Sequence, residues 1–114
     1  MATVDLLGRS VGPGQPCFVI AEAGVNHNGD LDVALRLVDA AAGAGAHAVK
    51  VQTFRTSSLV VETAPKAPYQ EEQTGRGTQW DMLRRLELDE EALLKLEAHC
   101  RDAGILFLSS VFDV

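Results

Sequence analysis

No stretch of about 20 apolar residues occurs in the 114-residue chain, so its sequence offers no membrane-spanning helix. No basic, hydrophobic leader opens it either, and the expected location is the cytoplasm. Cysteine is scarce. Cys17 and Cys100 stand far apart and in no metal-ligand spacing, which reads as two reduced structural thiols. Positive charge is also short: 10 Lys and Arg face 16 Asp and Glu, a net charge of -6. That balance argues against a general nucleic-acid binder, which would carry a basic face. The hydrophobic share, 46%, excludes a disordered tail or a fibrous repeat. The length allows one domain with a modest core.

What is present is a set of short apolar runs alternating with helical stretches. Residues 4–15 read as a hairpin, with Gly8-Arg9-Ser10 after VDLL and Gly12-Pro13-Gly14 as closing punctuation. Residues 18–21, FVIA, predict a strand buried on both faces. Asp30 is placed to cap a helix in which Leu31, Ala34, Leu35, Val38 and Ala42 follow helical spacing, and Gly45 is its stop. Residues 48–54, AVKVQTF, predict a second strand. Residues 55–79 lack a strong period and hold Pro65, Pro68, Gly75 and Gly77. They read as a long excursion, a feature of compact domains mainly when functional or disordered. Residues 80–86 predict one or two helical turns. Asp89 caps a clearer helix with Leu93, Leu96, Cys100 and Ala103 on one stripe, ended by Gly104. Residues 105–111, ILFLSSV, predict a third strand.

The order hairpin, β, α, β, (α)α, β predicts an α/β fold with a parallel sheet covered by helices. Three such strands leave one sheet edge open and one face thinly covered. A TIM (β/α)8 barrel takes about 250 residues to close. The expectation is therefore the N-terminal portion of a barrel from a longer protein. Residues 1–16 would form a hairpin and residues 17–114 the first three strands with their helices. A free-standing small α/β domain is the alternative.

Side chains alternate along a strand. Phe18, Ile20 and Glu22 would share one face of the first strand, Lys50, Gln52 and Phe54 one face of the second, and Leu106, Leu108 and Ser110 one face of the third. Each face turns polar toward the C-terminal end, the edge where barrels and doubly wound sheets bind ligands. Glu22, Lys50, Gln52 and Ser110 are thus candidates for a ligand rim, with Lys50 holding a phosphate or carboxylate as a point charge. The plainer alternative is a Glu22–Lys50 ion pair that ties two strands.

Other polar residues have ordinary explanations. Asn26, His27, Asn28 and Gly29 suit a turn into the first helix. His27 has no second ligand at metal spacing and is expected to make one backbone bond there. His47 and His99 read as surface residues at helix ends. Glu90 and Glu91 fall in a first helical turn, where negative charge suits the helix dipole. Ser109 and Ser110 have no histidine placed to activate them as a nucleophile.

Four blocks carry a resemblance: IAEAGVNHNGD (20–30), AGAHAVKVQTF (44–54), PKAPYQ (65–70) and ILFLSSVFD (105–113). In order and with sensible gaps, they resemble the N-terminal part of the sialic acid synthase family, which includes N-acetylneuraminate and legionaminic acid synthases. The resemblance implies a TIM barrel followed by a small antifreeze-like domain that lies outside these residues. It implies condensation of phosphoenolpyruvate with an N-acetylated amino sugar such as N-acetylmannosamine. It further implies a divalent metal, Mn2+ or Mg2+, acting as Lewis acid, and a domain-swapped homodimer. Carried over to this sequence, Glu22 matches an essential glutamate with a water-orienting or acid–base role. Lys50 and Ser110 match contacts to phosphoenolpyruvate, and Gln52 a residue facing the sugar. Asn26 and His27 match a loop that shapes the site. The metal ligands implied lie beyond residue 114.

One departure stands out within the blocks. Ser110-Val111 replaces the usual Thr-Pro, keeping the hydroxyl but loosening the turn after the third strand. A synthase for legionaminic or pseudaminic acid is the nearest alternative, and the loop at 21–30 fits legionaminic acid better than pseudaminic. A short non-catalytic α/β fragment that binds an anion or a partner is the alternative outside enzymes, since an open strand edge suits self-association.

Overall fold

A computed structural model describes residues 2–56 and 79–111. The expected excursion therefore falls almost wholly outside the described residues, as does the block at 65–70. The chain opens with a hairpin of β1 (Val4–Leu6) and β2 (Arg9–Val11), paired antiparallel. Leu7 and Gly8 both take positive φ, 51° and 89°, the pattern of a two-residue hairpin turn that matches strand twist. Asp5 accepts the Gly8 N–H at 2.8 Å and fastens the turn.

The second sheet holds β3 (Ile20–Gly24), β4 (Ala48–Thr53) and β5 (Leu106–Val111), side by side in that order and all parallel. Parallel neighbours need crossovers, and helices supply them. The helix α1 (Leu31–Gly43) joins β3 to β4, and α2 (Gln79–Leu86) and α3 (Glu90–Ala103) precede β5. Asp30 caps α1 by accepting from Asp32 and Val33, and Asp89 caps α3 by accepting from Ala92. Both helices end in Schellman pairs. Gly45 and Ala46 donate to Ala42 and Ala41, and Gly104 and Ile105 donate to Arg101 and Cys100.

The core lies between one face of the sheet and the helices α1 and α3. Ala23, Val49 and Val51 meet Ala34, Val38 and Ala41 of α1 and Leu96 and Cys100 of α3. Val38, Val49, Val51, Leu96 and Cys100 are at most 1% exposed. Burial of each large side chain is worth about 1.5–3 kcal/mol. On the outer side, His99 in the last turns of α3 bonds Asp39 of α1 at 2.7 Å.

Several local expectations are corrected. The first strand runs Ile20–Gly24 rather than over 18–21, because the ladder to β4 continues through Glu22 and Gly24 across a bulge. Phe18 falls outside it and stacks on His47, with ring centroids 5.2 Å apart. His47 is consequently a link, its Nδ1 accepting the Val19 N–H at 2.8 Å, rather than a plain surface residue. Among the described residues the sheet is covered on one face only: Ile20, on the other face, is 46% exposed. Phe54 lies past the end of β4 and is buried, and Ala103 is exposed at the end of its stripe.

Candidate active-site rim

The register fixes which polar side chains share the uncovered face. Glu22 stands opposite Lys50, and Lys50 opposite Leu108; two residues further along, Gln52 stands opposite Ser110. Paired residues in a parallel ladder point the same way, and strand alternation keeps positions two apart on one face. Glu22, Lys50, Gln52 and Ser110 are thereby brought together toward the C-terminal ends of three adjacent strands. Val49 and Val51 point the other way, into the core.

Glu22 and Lys50 form an ion pair, Oε2 to Nζ, at 3.0 Å. Their side chains are 48% and 35% exposed. A pair so open to solvent is worth about 0–1 kcal/mol. As a tie between strands it is weak, which leaves the placement of two opposite charges on an inner-facing rim unexplained by stability. Lys50 has three donors and needs one for Glu22, so it can still take an anion. Chemically the rim offers a cation, a carboxylate, an amide and a hydroxyl converging on one open face.

The turn from β3 into α1 supplies the other two candidates. Asn26 is exposed, and its N–H bonds the Ala23 carbonyl at 3.0 Å. His27 is buried, 1% exposed, and its Nδ1 accepts the Gly29 N–H at 2.9 Å. The expected single backbone bond is therefore present. Burial pushes the His27 pKa below its ordinary 6.5, against a weaker opposite pull from the Gly24 backbone. Asn26 and His27 do not reach the ion pair directly; they sit in the turn that follows it.

Three features escape a reading of the sequence alone. Ser109 hydrogen-bonds Thr53 on the core side of the sheet, while Ser110 takes the rim face expected of it. Glu87 accepts from the Thr56 hydroxyl at 3.0 Å and from Arg84 at 3.3 Å, fastening the exit of β4 to the end of α2. Gly24 lies under the Glu22 carboxylate: a Cβ there would stand 3.2 Å from Oε1. Only the spacing Glu22-Ala23-Gly24 hinted at the last, since a glycine in a strand often marks a bulge. Among the described residues no group of three or more His, Cys, Asp or Glu could hold a metal ion. No helix among them is long and apolar enough to cross a membrane.

A parallel sheet backed by helices, with polar groups at the C-terminal strand ends, has the form of part of a (β/α) barrel. The structure agrees with a solved one. The N-acetylneuraminic acid (sialic acid) synthetase of Leptospira borgpetersenii superposes with a TM-score of 0.74 at 32% identity, over 99% of this chain and 35% of that one. Residues 37–114 match the NeuB family, and the chain belongs to it. It is 50% identical over 103 residues to an N,N'-diacetyllegionaminic acid synthase of Legionella pneumophila, covering 90% of this chain and 29% of that protein. The corresponding synthase of Campylobacter jejuni is 45% identical over 98 residues, covering 85% and 29%. The chain thus spans under a third of the length of these curated relatives, and the sheet is a partial barrel.

Proposed function

We propose that this chain carries the first part of the active-site rim of a synthase that joins phosphoenolpyruvate to an N-acetylated amino sugar, giving a sialic-acid-type product and phosphate. The observation that supports it is the Glu22–Lys50 pair on the open face, 3.0 Å apart, in a chain of the NeuB family. In this reading Lys50 holds the phosphate or carboxylate of phosphoenolpyruvate as a point charge, and the Ser110 hydroxyl donates to the same group. Gln52 faces the sugar. The enol carbon attacks the open-chain aldehyde and forms the new C–C bond. Water then adds to the resulting oxocarbenium carbon, and phosphate leaves with cleavage of the C–O bond. Glu22 orients that water or moves its proton. Asn26 and His27 shape the loop beside it.

The described residues do not fit a metal site: no three of their His, Cys, Asp or Glu side chains are grouped to hold one. The divalent metal and the homodimer implied by the resemblance belong to the whole protein in this reading. The 114 residues by themselves are expected to be inactive.

A second reading concerns the sugar. The 50% and 45% identities to diacetyllegionaminic acid synthases favour a di-N-acetylated substrate over N-acetylmannosamine. One experiment addresses both. The full-length protein is assayed for phosphate release with phosphoenolpyruvate and either a mono- or a di-N-acetylated amino sugar. Glu22→Gln and Lys50→Met are each expected to lower kcat/KM by about a hundredfold or more, a loss typical of removing acid–base or electrostatic help. Their thermal midpoints should stay within a few degrees of wild type, because the pair contributes at most about 1 kcal/mol. Full activity in both variants would refute the rim.

A further inference from the structure

The turn between β3 and α1 is built more tightly than a connecting loop requires. Asn26 donates to Ala23, Asn28 to Val25 and Asp30 to His27, so consecutive backbone turns run from the end of β3 to the cap of α1. His27 fills the inside of that run. Its Nδ1 accepts the Gly29 N–H, which puts the proton of the uncharged ring on Nε2. That Nε2 is buried without a hydrogen-bond partner among the described residues. A buried unpaired donor costs free energy, but an apolar ring of the same size would leave the part-buried Gly29 N–H without its acceptor. The polar ring is thus kept by its bond to Gly29.

Gly24 is the second, independent observation. It takes φ 56°, a left-handed backbone that disfavours a side chain, at the point where the β3–β4 register shifts. Its missing Cβ is the space over which the Glu22 carboxylate lies. One end of the turn thus seats the carboxylate, and the other end is held by His27.

We propose that Gly24 and His27 are positioning residues for Glu22: the bulge at Gly24 leaves open the space that sets the direction of the carboxylate, and His27, bonded to Gly29, locks the turn that holds the bulge. Neither touches the reacting atoms. The inference rests on the reading of Glu22 as part of the active site.

The test uses the full-length protein and steady-state rates with phosphoenolpyruvate and the better amino sugar. Gly24→Ala is expected to lower kcat by about tenfold: the left-handed backbone is strained by a side chain and the new Cβ, 3.2 Å from Oε1, displaces the carboxylate by a few tenths of an ångström. KM for both substrates should change far less than kcat. His27→Phe should give the same split, while His27→Asn, whose Oδ1 can accept the Gly29 N–H in place of Nδ1, should recover most of the rate. A double variant, Glu22→Gln with Gly24→Ala, should be no slower than Glu22→Gln alone, since residues acting as a unit are not additive. Additive losses, or wild-type kcat in Gly24→Ala, would overturn the proposal. So would His27→Asn performing no better than His27→Phe. If His27→Phe does not fold, the Gly24 variant and the double variant decide alone. A wild-type protein without condensation activity would instead strike the reading of the site itself, before any variant is compared.

Discussion

Gly29 offers a sharp test of how the site end of this fold is packed. It takes φ 75° in the turn before α1, and a Cβ built there would lie 2.1 Å from the carbonyl oxygen of Arg85 in α2. Real Cβ contacts essentially never fall under 3.0 Å, so close to an ångström of separation must be found. The opposing atom is backbone, and it cannot rotate away. Either the turn or the end of α2 has to move. Moving α2 strains the contact of Arg84 and Glu87 that fastens Thr56. Left-handed strain on alanine adds about 1–2 kcal/mol. Together these place Gly29→Ala in the range of roughly 3 kcal/mol or more, the class of severe single substitutions.

Two further glycines separate the causes. Gly45 also has positive φ, 84°, but nothing lies within 4 Å of its Cβ position. Gly45→Ala should therefore cost only the backbone strain, about 1–2 kcal/mol. Gly43 lies in α1 with open space around it, and Gly43→Ala should be neutral or stabilise by about 0.5 kcal/mol. The assay is the shift in denaturation midpoint of the full-length protein, with the three variants compared side by side. Equal losses for Gly29→Ala and Gly45→Ala would refute the close approach of the turn to α2.

Two other expectations follow from the ionisable groups. Cys17 is exposed, whereas Cys100 is buried and its pKa is pushed up to about 11 by burial and by Glu97. A brief treatment with a thiol reagent at neutral pH, read by peptide mass mapping, should label Cys17 and spare Cys100 until the protein unfolds; equal labelling would contradict the packing of α3. His27 has a folded pKa below its ordinary 6.5, so the unfolded chain binds the extra proton first. Its contribution to stability is complete above about pH 6.5 and is lost as pH falls through that value toward the folded pKa. Denaturation midpoints from pH 7.5 to pH 5.5 should fall less steeply in His27→Phe than in wild type; the same slope in both would show that His27 is not held uncharged by the fold.

Much of the architecture was legible in the residues. Asp30 and Asp89 are caps whose side chains bond the backbone a few residues away, so they act locally and can be read locally. The second and third strands and the stripe Leu93, Leu96, Cys100 followed from period and from their stops at Gly45 and Gly104, with Ala103 the exception at the frayed end. The alternation of Lys50 and Gln52 against Val49 and Val51 likewise gave the face each pair takes. The first strand was misplaced because its end is set by a partner: the ladder to β4 draws Glu22 and Gly24 into the sheet, and Phe18 leaves it to stack on His47.

The sequence by itself determined which face of the second strand would be apolar, where the helices start and stop, and that charged side chains gather at the C-terminal strand ends. Those properties depend on residues within a few positions of one another, where backbone geometry fixes the outcome. Tertiary structure alone decided that Glu22 meets Lys50 at 3.0 Å, that Gly24 leaves room for the carboxylate, and that Gly29 sits against Arg85. It also decided that His27 is buried rather than displayed. Each of these is a contact between segments far apart in the chain or across a register shift, and its distance is set by how whole elements pack.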